Sequence, residues 1–204
     1  MKPRFIAFEG IDGCGKTTQA KKLQEYLNEQ GIDVVFTREP YRKGSICSDI
    51  REILLKDYKS EMAPFAELFL FEATRAQHVK DVIKPSLDVG KTIICDRFID
   101  STIAYQGYGR GLNLTHVEQM NKIAAGGITP DITFFIDIPV EIAMKRSHQV
   151  EATVRDDETK DFYVKCRNYF LHRSEADDSF IRIDGTGTIE EVFEKIVNNW
   201  KCNS

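Results

Sequence analysis

Residues 9–19 read EGIDGCGKTTQ, and this stretch limits the possible folds more than any other in the chain. Its core satisfies G-x-x-x-x-G-K-[ST] at Gly10, Gly15, Lys16 and Thr17. It follows the apolar run Phe5–Phe8. It precedes a helical pattern in which Ala20, Leu23 and Leu27 recur at i, i+3 and i+7. Strand, glycine turn and helix in that order predict a loop that cradles phosphate. The glycines let the backbone curl so that successive N–H groups face inward. The helix start adds the positive end of its dipole. Gly10, Ile11, Asp12, Gly13, Cys14, Gly15, Lys16, Thr17 and Thr18 form the expected cradle for ATP or GTP. Lys16 is expected on the β- and γ-phosphates, and the Thr17 hydroxyl on Mg²⁺. The stretch contains no arginine, so help in neutralising charge during transfer must come from elsewhere.

Short apolar runs alternate with helical patterns along the rest of the chain. Strands are expected at Arg4–Glu9, Asp33–Thr37, Thr92–Cys95, Ile132–Ile138 and Phe180–Ile183. Each is apolar on successive residues, as strands buried on both faces of a parallel sheet are. Helices fall between them. Gly31 is a natural stop for the first, residues 63–87 are mostly helical in pattern, and Pro64 suits a first turn. In the last helix Ile189, Val192, Phe193, Ile196, Val197 and Trp200 mark one core-facing stripe. The whole is expected to be an α/β fold of one domain over residues 1–204, with ligands at the carboxyl ends of the strands. The polar stretch SHQVEATVRDDETK, residues 147–160, is a solvated loop or a lid.

Composition removes several classes of function. A net charge of −4 argues against broad binding to nucleic acid, which needs a basic face. No apolar run approaches the roughly 20 residues of a membrane-spanning helix. The N-terminus does not resemble a signal peptide. Five scattered cysteines without a CxxC pair suit reduced thiols in a cytoplasmic protein. Four histidines without i,i+4 pairing offer no zinc site. Cys14 stands at a helix start, which favours a thiolate, but a small buried filler is the simpler reading.

A second chemical element is TIICDRF, residues 92–98. Asp96 ends an apolar strand, where a carboxylate holds Mg²⁺ directly or through water. Arg97 follows. Arg38, Arg42, Arg75 and Arg97 each flank an apolar segment that feeds the expected ligand edge. Together they suit a second anion, because guanidinium groups bind phosphate oxygens bidentately.

In chain order, EGIDGCGKTTQ, TREP, LFLFEATRAQH, CDRFIDSTIAYQGYGRG and PDITFFIDIPVEIAMKR resemble the thymidylate kinase family. The similarity runs from residue 5 to about residue 150 and resumes weakly in DGTGTIEEV. CDRFIDSTIAYQG beside the phosphate loop sets this family apart from adenylate, guanylate and shikimate kinases. The resemblance implies a P-loop kinase fold, with five parallel strands flanked by helices on both faces and a short lid. It also implies a homodimer that passes phosphate from Mg-ATP to dTMP. By the same resemblance Asp12 meets the acceptor 3′-hydroxyl and Phe71 stacks on thymine. Arg75 bonds a thymine carbonyl, and Arg97 holds the acceptor phosphate. Thr102 and Gln106 read the base, and Tyr105 crowds the ribose 2′ position. Arg42 resembles a phosphate-binding arginine, although many bacterial members read REPGG where this chain reads REPYRKG. Members without a loop arginine supply one from the lid. Arg155 is the expected one, with Arg146 as the second. Lys16, Asp96, Arg97 and Arg155 are thus the expected catalytic residues, with Thr17 and Asp96 at the metal. Two alternatives stay open: another P-loop (deoxy)nucleoside or monophosphate kinase, and a nucleotide-binding switch. The second lacks an NKxD-type guanine motif here.

Overall fold

The computed structural model describes residues 4–41, 44–56, 62–147 and 159–203. Five strands, β1 (Phe5–Glu9), β2 (Val34–Arg38), β3 (Thr92–Asp96), β4 (Ile132–Asp137) and β5 (Phe180–Asp184), form one sheet. Their order is β2-β3-β1-β4-β5, and every pairing is parallel. Each lies within one residue of its expected bounds, because an unbroken apolar run is a strong signal for a buried strand.

The side-chain alternation of β1 builds two cores. Ile6 and Phe8 join Ala20, Leu23 and Leu27 on one face of the sheet. Phe5 and Ala7 join Ile83, Ile93, Cys95 and Phe98 on the other. The expectation of strands buried on both faces holds for β1, β3 and β4. It fails at the sheet edges, where β2 and β5 are only partly buried and Arg182 and Asp184 are exposed.

Helix α1 (Lys16–Glu29) rises directly from the phosphate loop, and Gly31 at φ 78° ends it. Helix α2 (Ser45–Leu55) follows β2. The expected helix over 63–87 is three pieces. Helix α3 (Pro64–His78) widens into a π-helical turn, Val79–Ile83, before α4 (Lys84–Asp88). Pro85 explains the widening, since its ring clashes with the carbonyl one α-turn earlier and it has no N–H to offer. After β3 come α5 (Ile99–Thr102), a second π-helical segment (Ile103–Gly109) and α6 (Leu114–Ala124). Helix α7 (Val140–Ser147) follows β4, and α8 (Lys160–Ala176) and α9 (Ile189–Asn203) flank β5. In α9, Val192, Ile196 and Trp200 are buried, but Ile189 is 50% exposed. The apolar stripe therefore starts one turn later than its periodicity suggests. Ile189 instead contributes its carbonyl, which accepts a hydrogen bond from Gln19 at 3.0 Å.

The expected lid at 147–160 and its Arg155 fall almost wholly in residues 148–158, outside the described residues. Arg42 lies outside them as well. Among the described residues no helix is long and apolar enough to cross a membrane.

Candidate active site

Parallel register gathers the working residues at one edge of the sheet. Phe8 pairs with Asp96 and Arg38 with Asp96, so the ends of β1, β2 and β3 lie side by side. The phosphate loop springs from the first of these. Gly10 has φ 139°, and a Cβ there would lie 2.7 Å from the Ile136 carbonyl oxygen. Only glycine lets the loop lie this close to β4. Lys16 is 6% exposed. Its Nζ folds back to 3.4 Å from the Ile11 carbonyl and 3.7 Å from Asp12 Oδ1. Thr17 donates its hydroxyl to Asp96 Oδ2 at 2.5 Å. Asp96 is fully buried, and its Oδ1 has no hydrogen-bond partner among the described residues. Thr18 faces outward in the first turn of α1. Cys14 is buried, and that burial pushes its thiol above the ordinary range despite nearby Lys16. The filler reading therefore prevails over a reactive thiolate.

Arg97 bridges the loop to the far wall. It sits at φ 73° between β3 and α5, a conformation that side-chain-bearing residues avoid. Its Nη2 donates to Asp12 Oδ1 at 2.5 Å and to the Tyr105 hydroxyl at 3.1 Å. Nη1 reaches the Gly10 carbonyl at 3.3 Å and Ser101 Oγ at 3.0 Å. Tyr105 in turn donates to Asp12 Oδ2 at 3.0 Å. Burial alone would raise the Asp12 carboxyl, but Arg97 and Lys16 together hold it below its ordinary value. Although Asp96 is its neighbour in the chain, Arg97 makes its ion pair with Asp12.

The Arg97 turn has its own support, invisible in the sequence motifs. Glu9 is fully buried at the end of β1. Its Oε1 accepts the Phe98 and Ser101 amides at 2.8 and 3.2 Å, and its Oε2 accepts the Ser101 hydroxyl at 2.5 Å. It caps α5 from a neighbouring strand. Burial, with Asp100 second, pushes its carboxyl from 4.5 up to about 7. Between those values the folded chain keeps a proton that the unfolded chain has lost, so stability falls as pH rises through this window. The Glu9 contribution is complete below about 4.5 and gone above about 7. Glu9→Gln is expected to flatten the fall in unfolding free energy over that range. Denaturant titrations at several pH values check it, and an unchanged slope contradicts it.

Beyond Arg97 a cleft opens, enclosing about 870 Å³ of space continuous with solvent. Phe71, Thr102, Tyr105 and Gln106 line it, as do Arg38, Arg51, Glu67 and Arg75. Phe71 is half-buried, while Thr102 and Gln106 are buried. The four arginines expected as one anion cluster divide. Arg38 is poised for an anion, with its buried Nε lacking an acceptor among the described residues and its Nη2 4.0 Å from Asp96. Arg97 faces the loop. Arg75 is 2% exposed and faces carboxylates instead. Its Nε and Nη2 donate to Glu39 at 3.0 and 2.7 Å, and its Nη1 donates to Glu72 at 2.8 Å and to the Asn121 side-chain carbonyl. Nη2 also reaches Thr102 Oγ1 at 2.8 Å and the Phe98 carbonyl at 3.1 Å. His78 completes this buried layer, 3.1 Å from Glu39 and 2.7 Å from the Thr37 hydroxyl. Sequence reasoning missed Glu9, Glu39, Glu67, Glu72 and Ser101. A signal existed for Glu67, which lies four and eight residues before Phe71 and Arg75 on one face of α3.

A triphosphate-gripping loop on a parallel sheet, joined to a second cleft rimmed by cations, defines a phosphotransferase of the P-loop nucleotide kinase class. The thymidylate kinase family model matches residues 8–196. A thymidylate kinase of Geotalea daltonii is 44% identical over 197 residues, covering 92% of each chain. One from Kosmotoga olearia is 44% identical over 199 residues, covering 96% of this chain and 94% of its own. The crystal structure of thymidylate kinase from Ehrlichia chaffeensis superimposes with a TM-score of 0.80 at 35% identity, over 98% of this chain and all of that one. The chain belongs to the thymidylate kinase family.

Proposed function

We propose that this chain transfers the γ-phosphoryl group of ATP to the 5′-phosphate of dTMP, giving ADP and dTDP. The observation that carries the reading is a single continuous site. The phosphate loop and a cleft walled by Phe71, Gln106 and Thr102 meet at Asp12, Arg97 and Tyr105. One end suits a triphosphate and the other a planar base. An acceptor phosphate oxygen attacks the γ-phosphorus, the bond to the β,γ-bridging oxygen breaks, and ADP leaves. No strong general base is needed, because the acceptor oxygen is already ionised, so catalysis is positioning and charge neutralisation.

Each residue then has a task. Lys16 holds the β- and γ-phosphates. Arg97, with Arg42, holds the acceptor phosphate, and Arg38 is aimed at the same place. Asp12 receives the 3′-hydroxyl, with its position already held by Arg97 and Tyr105. The Tyr105 ring favours deoxyribose. Phe71 stacks on the base, a contact worth roughly 1–3 kcal/mol. Arg75 makes six hydrogen bonds from five N–H groups, so a thymine carbonyl shares one of these, the Thr102 contact being the most easily shared. A panel of dTMP, dUMP, dCMP, dGMP and thymidine with Mg-ATP tests the reading. Preferred turnover of dTMP is expected, and turnover of another acceptor without dTMP overturns it.

Asp96 and Thr17 fit Mg²⁺. The buried, unpartnered Oδ1 is a ready oxygen ligand, and Mg²⁺ takes one or two carboxylates beside substrate phosphates. Asp96 and Thr17 would hold the ion, which would offset negative charge on the triphosphate. Asp96→Asn keeps the shape and the Thr17 contact. It is expected to raise the Mg²⁺ concentration for half-maximal rate by roughly 10–100-fold. In EDTA the same variant should stay within about 1 kcal/mol of the wild type, since the buried charge is gone but an unpartnered amide N–H takes the place of the unpartnered oxygen. Metal titration and denaturant unfolding check the two halves, and unchanged metal dependence refutes the assignment.

The chain is read as one cytoplasmic kinase domain with a lid near 147–160, acting on nucleotides rather than nucleic acid or membrane. We also read it as a homodimer. Helices α3 and α6 lie together, and Phe69 and Ile123 are 54% and 80% exposed on them, apolar side chains that a second copy would cover. A solution mass of one chain rather than two refutes pairing.

A further inference from the structure

We propose that Glu67 fixes the orientation of the Gln106 amide and so decides which pyrimidine edge the cleft accepts. The proposal rests on the reading of this cleft as the acceptor-base site.

Glu67 and Gln106 are 3% and 4% exposed. Gln106 Nε2 donates to Glu67 Oε1 at 2.5 Å, and Arg110 Nε donates to Glu67 Oε2 at 3.2 Å. A carboxylate beside a guanidinium only accepts hydrogen bonds. It therefore admits one of the two amide orientations, the one with the NH₂ group towards Glu67. The flipped amide would set carbonyl oxygen against carboxylate oxygen at that distance. Gln106 Oε1 is thereby left to the cleft, and no hydrogen bond to it occurs among the described residues. That oxygen is not one of the buried unpartnered atoms, so it stands open to the cleft as an acceptor for a ligand N–H.

The ring nitrogen N3 of a pyrimidine is the group such an acceptor sorts. In thymine and uracil N3 carries a hydrogen and donates. In cytosine N3 is a bare acceptor and would meet Oε1 lone pair to lone pair. Glu67 thus selects keto pyrimidines without touching the base, as a positioning residue acting through Gln106. The contact does not sense the 5-methyl group, so dUMP and dTMP are alike to it.

The test compares kcat/KM for dTMP and 5-methyl-dCMP, which differ only along the N3–C4 edge. The wild type is expected to prefer dTMP by about 10³-fold or more, because a site built to bond an N–H rejects a ligand lacking it. Glu67→Gln is nearly isosteric and can donate as well as accept, so it frees the amide to turn. That variant should narrow the preference by about tenfold or more with the KM for ATP little changed, and its Tm should fall, since the largely buried Arg110 loses its carboxylate. Gln106→Met removes the acceptor itself and should narrow it likewise, and an unchanged ratio there overturns the proposal whatever Glu67→Gln does. Equal slowing of both substrates in Glu67→Gln assigns Glu67 a purely structural role and also overturns it. So does a wild type that accepts 5-methyl-dCMP within about tenfold of dTMP. Failure of the wild type to phosphorylate dTMP at all refutes the functional reading itself.

Discussion

Arg97→Ala and Arg97→Gly are both expected to lose about 10³-fold or more in kcat/KM for dTMP, while differing from each other in stability. The activity loss follows from position. Arg97 stands between the loop and the cleft, bonded at once to Gly10, Asp12, Ser101 and Tyr105. No other described guanidinium touches both halves of the site. Its removal leaves Asp12 and two sets of nucleotide phosphates to repel one another. The stability difference follows from the backbone. At φ 73° any residue with a Cβ is strained, and glycine is not. Both variants lose the same ion pair, so its loss cancels in the comparison. Glycine should then be the more stable of the two by about 1 kcal/mol. Denaturant unfolding of the two variants checks it, and an alanine variant at least as stable as the glycine one contradicts the strain. Strain at Arg97 and the unpartnered oxygen of Asp96 are adjacent in the chain. Both are costs in the ligand-free molecule that bound phosphate and metal would offset.

This contrast marks what could be read from sequence. The strands were legible because parallel strands buried on both faces leave unbroken apolar runs. The phosphate loop was legible because its glycines, lysine and threonine are fixed by backbone geometry within eight residues. The buried acids were not. Glu9 caps a helix 92 residues away, Glu39 binds an arginine 36 residues on, and Glu67 orients an amide 39 residues on. A glutamate beside an apolar segment looks like a solvated end in one dimension. Only strand order and helix docking reveal that its partner is there. Arg75 shows the converse error. It looked like one of four phosphate-binding arginines, and the acids that engage it could not be seen from its own segment.

Arg155→Ala is expected to lower kcat by roughly 10³-fold or more while leaving the KM for ATP and dTMP within a few-fold. The described cations nearest the loop are Lys16, Arg38 and Arg97, and each already faces Asp12 or Asp96. Transfer brings two nucleotides together, and unit charges 4 Å apart repel by about 4 kcal/mol at an effective dielectric near 20. A further cation is therefore needed over the transferring group, and EGIDGCGKTTQ has no arginine to give. Helix α8 begins beside the site, with Phe162 and Tyr163 stacking edgewise on Tyr105 at 5.7 and 6.4 Å. Arg155 precedes the capping Thr159 of that helix by four residues, a span of at most about 14 Å of chain. Arg146, exposed in the last turn of α7, is the other cation the sequence offers. Because an arginine acting only on the transition state leaves ground-state binding alone, the split between kcat and KM separates this role from ordinary substrate binding. Near-normal turnover of Arg155→Ala at saturating substrates removes the assignment, and a collapse in Arg146→Ala instead transfers it to α7.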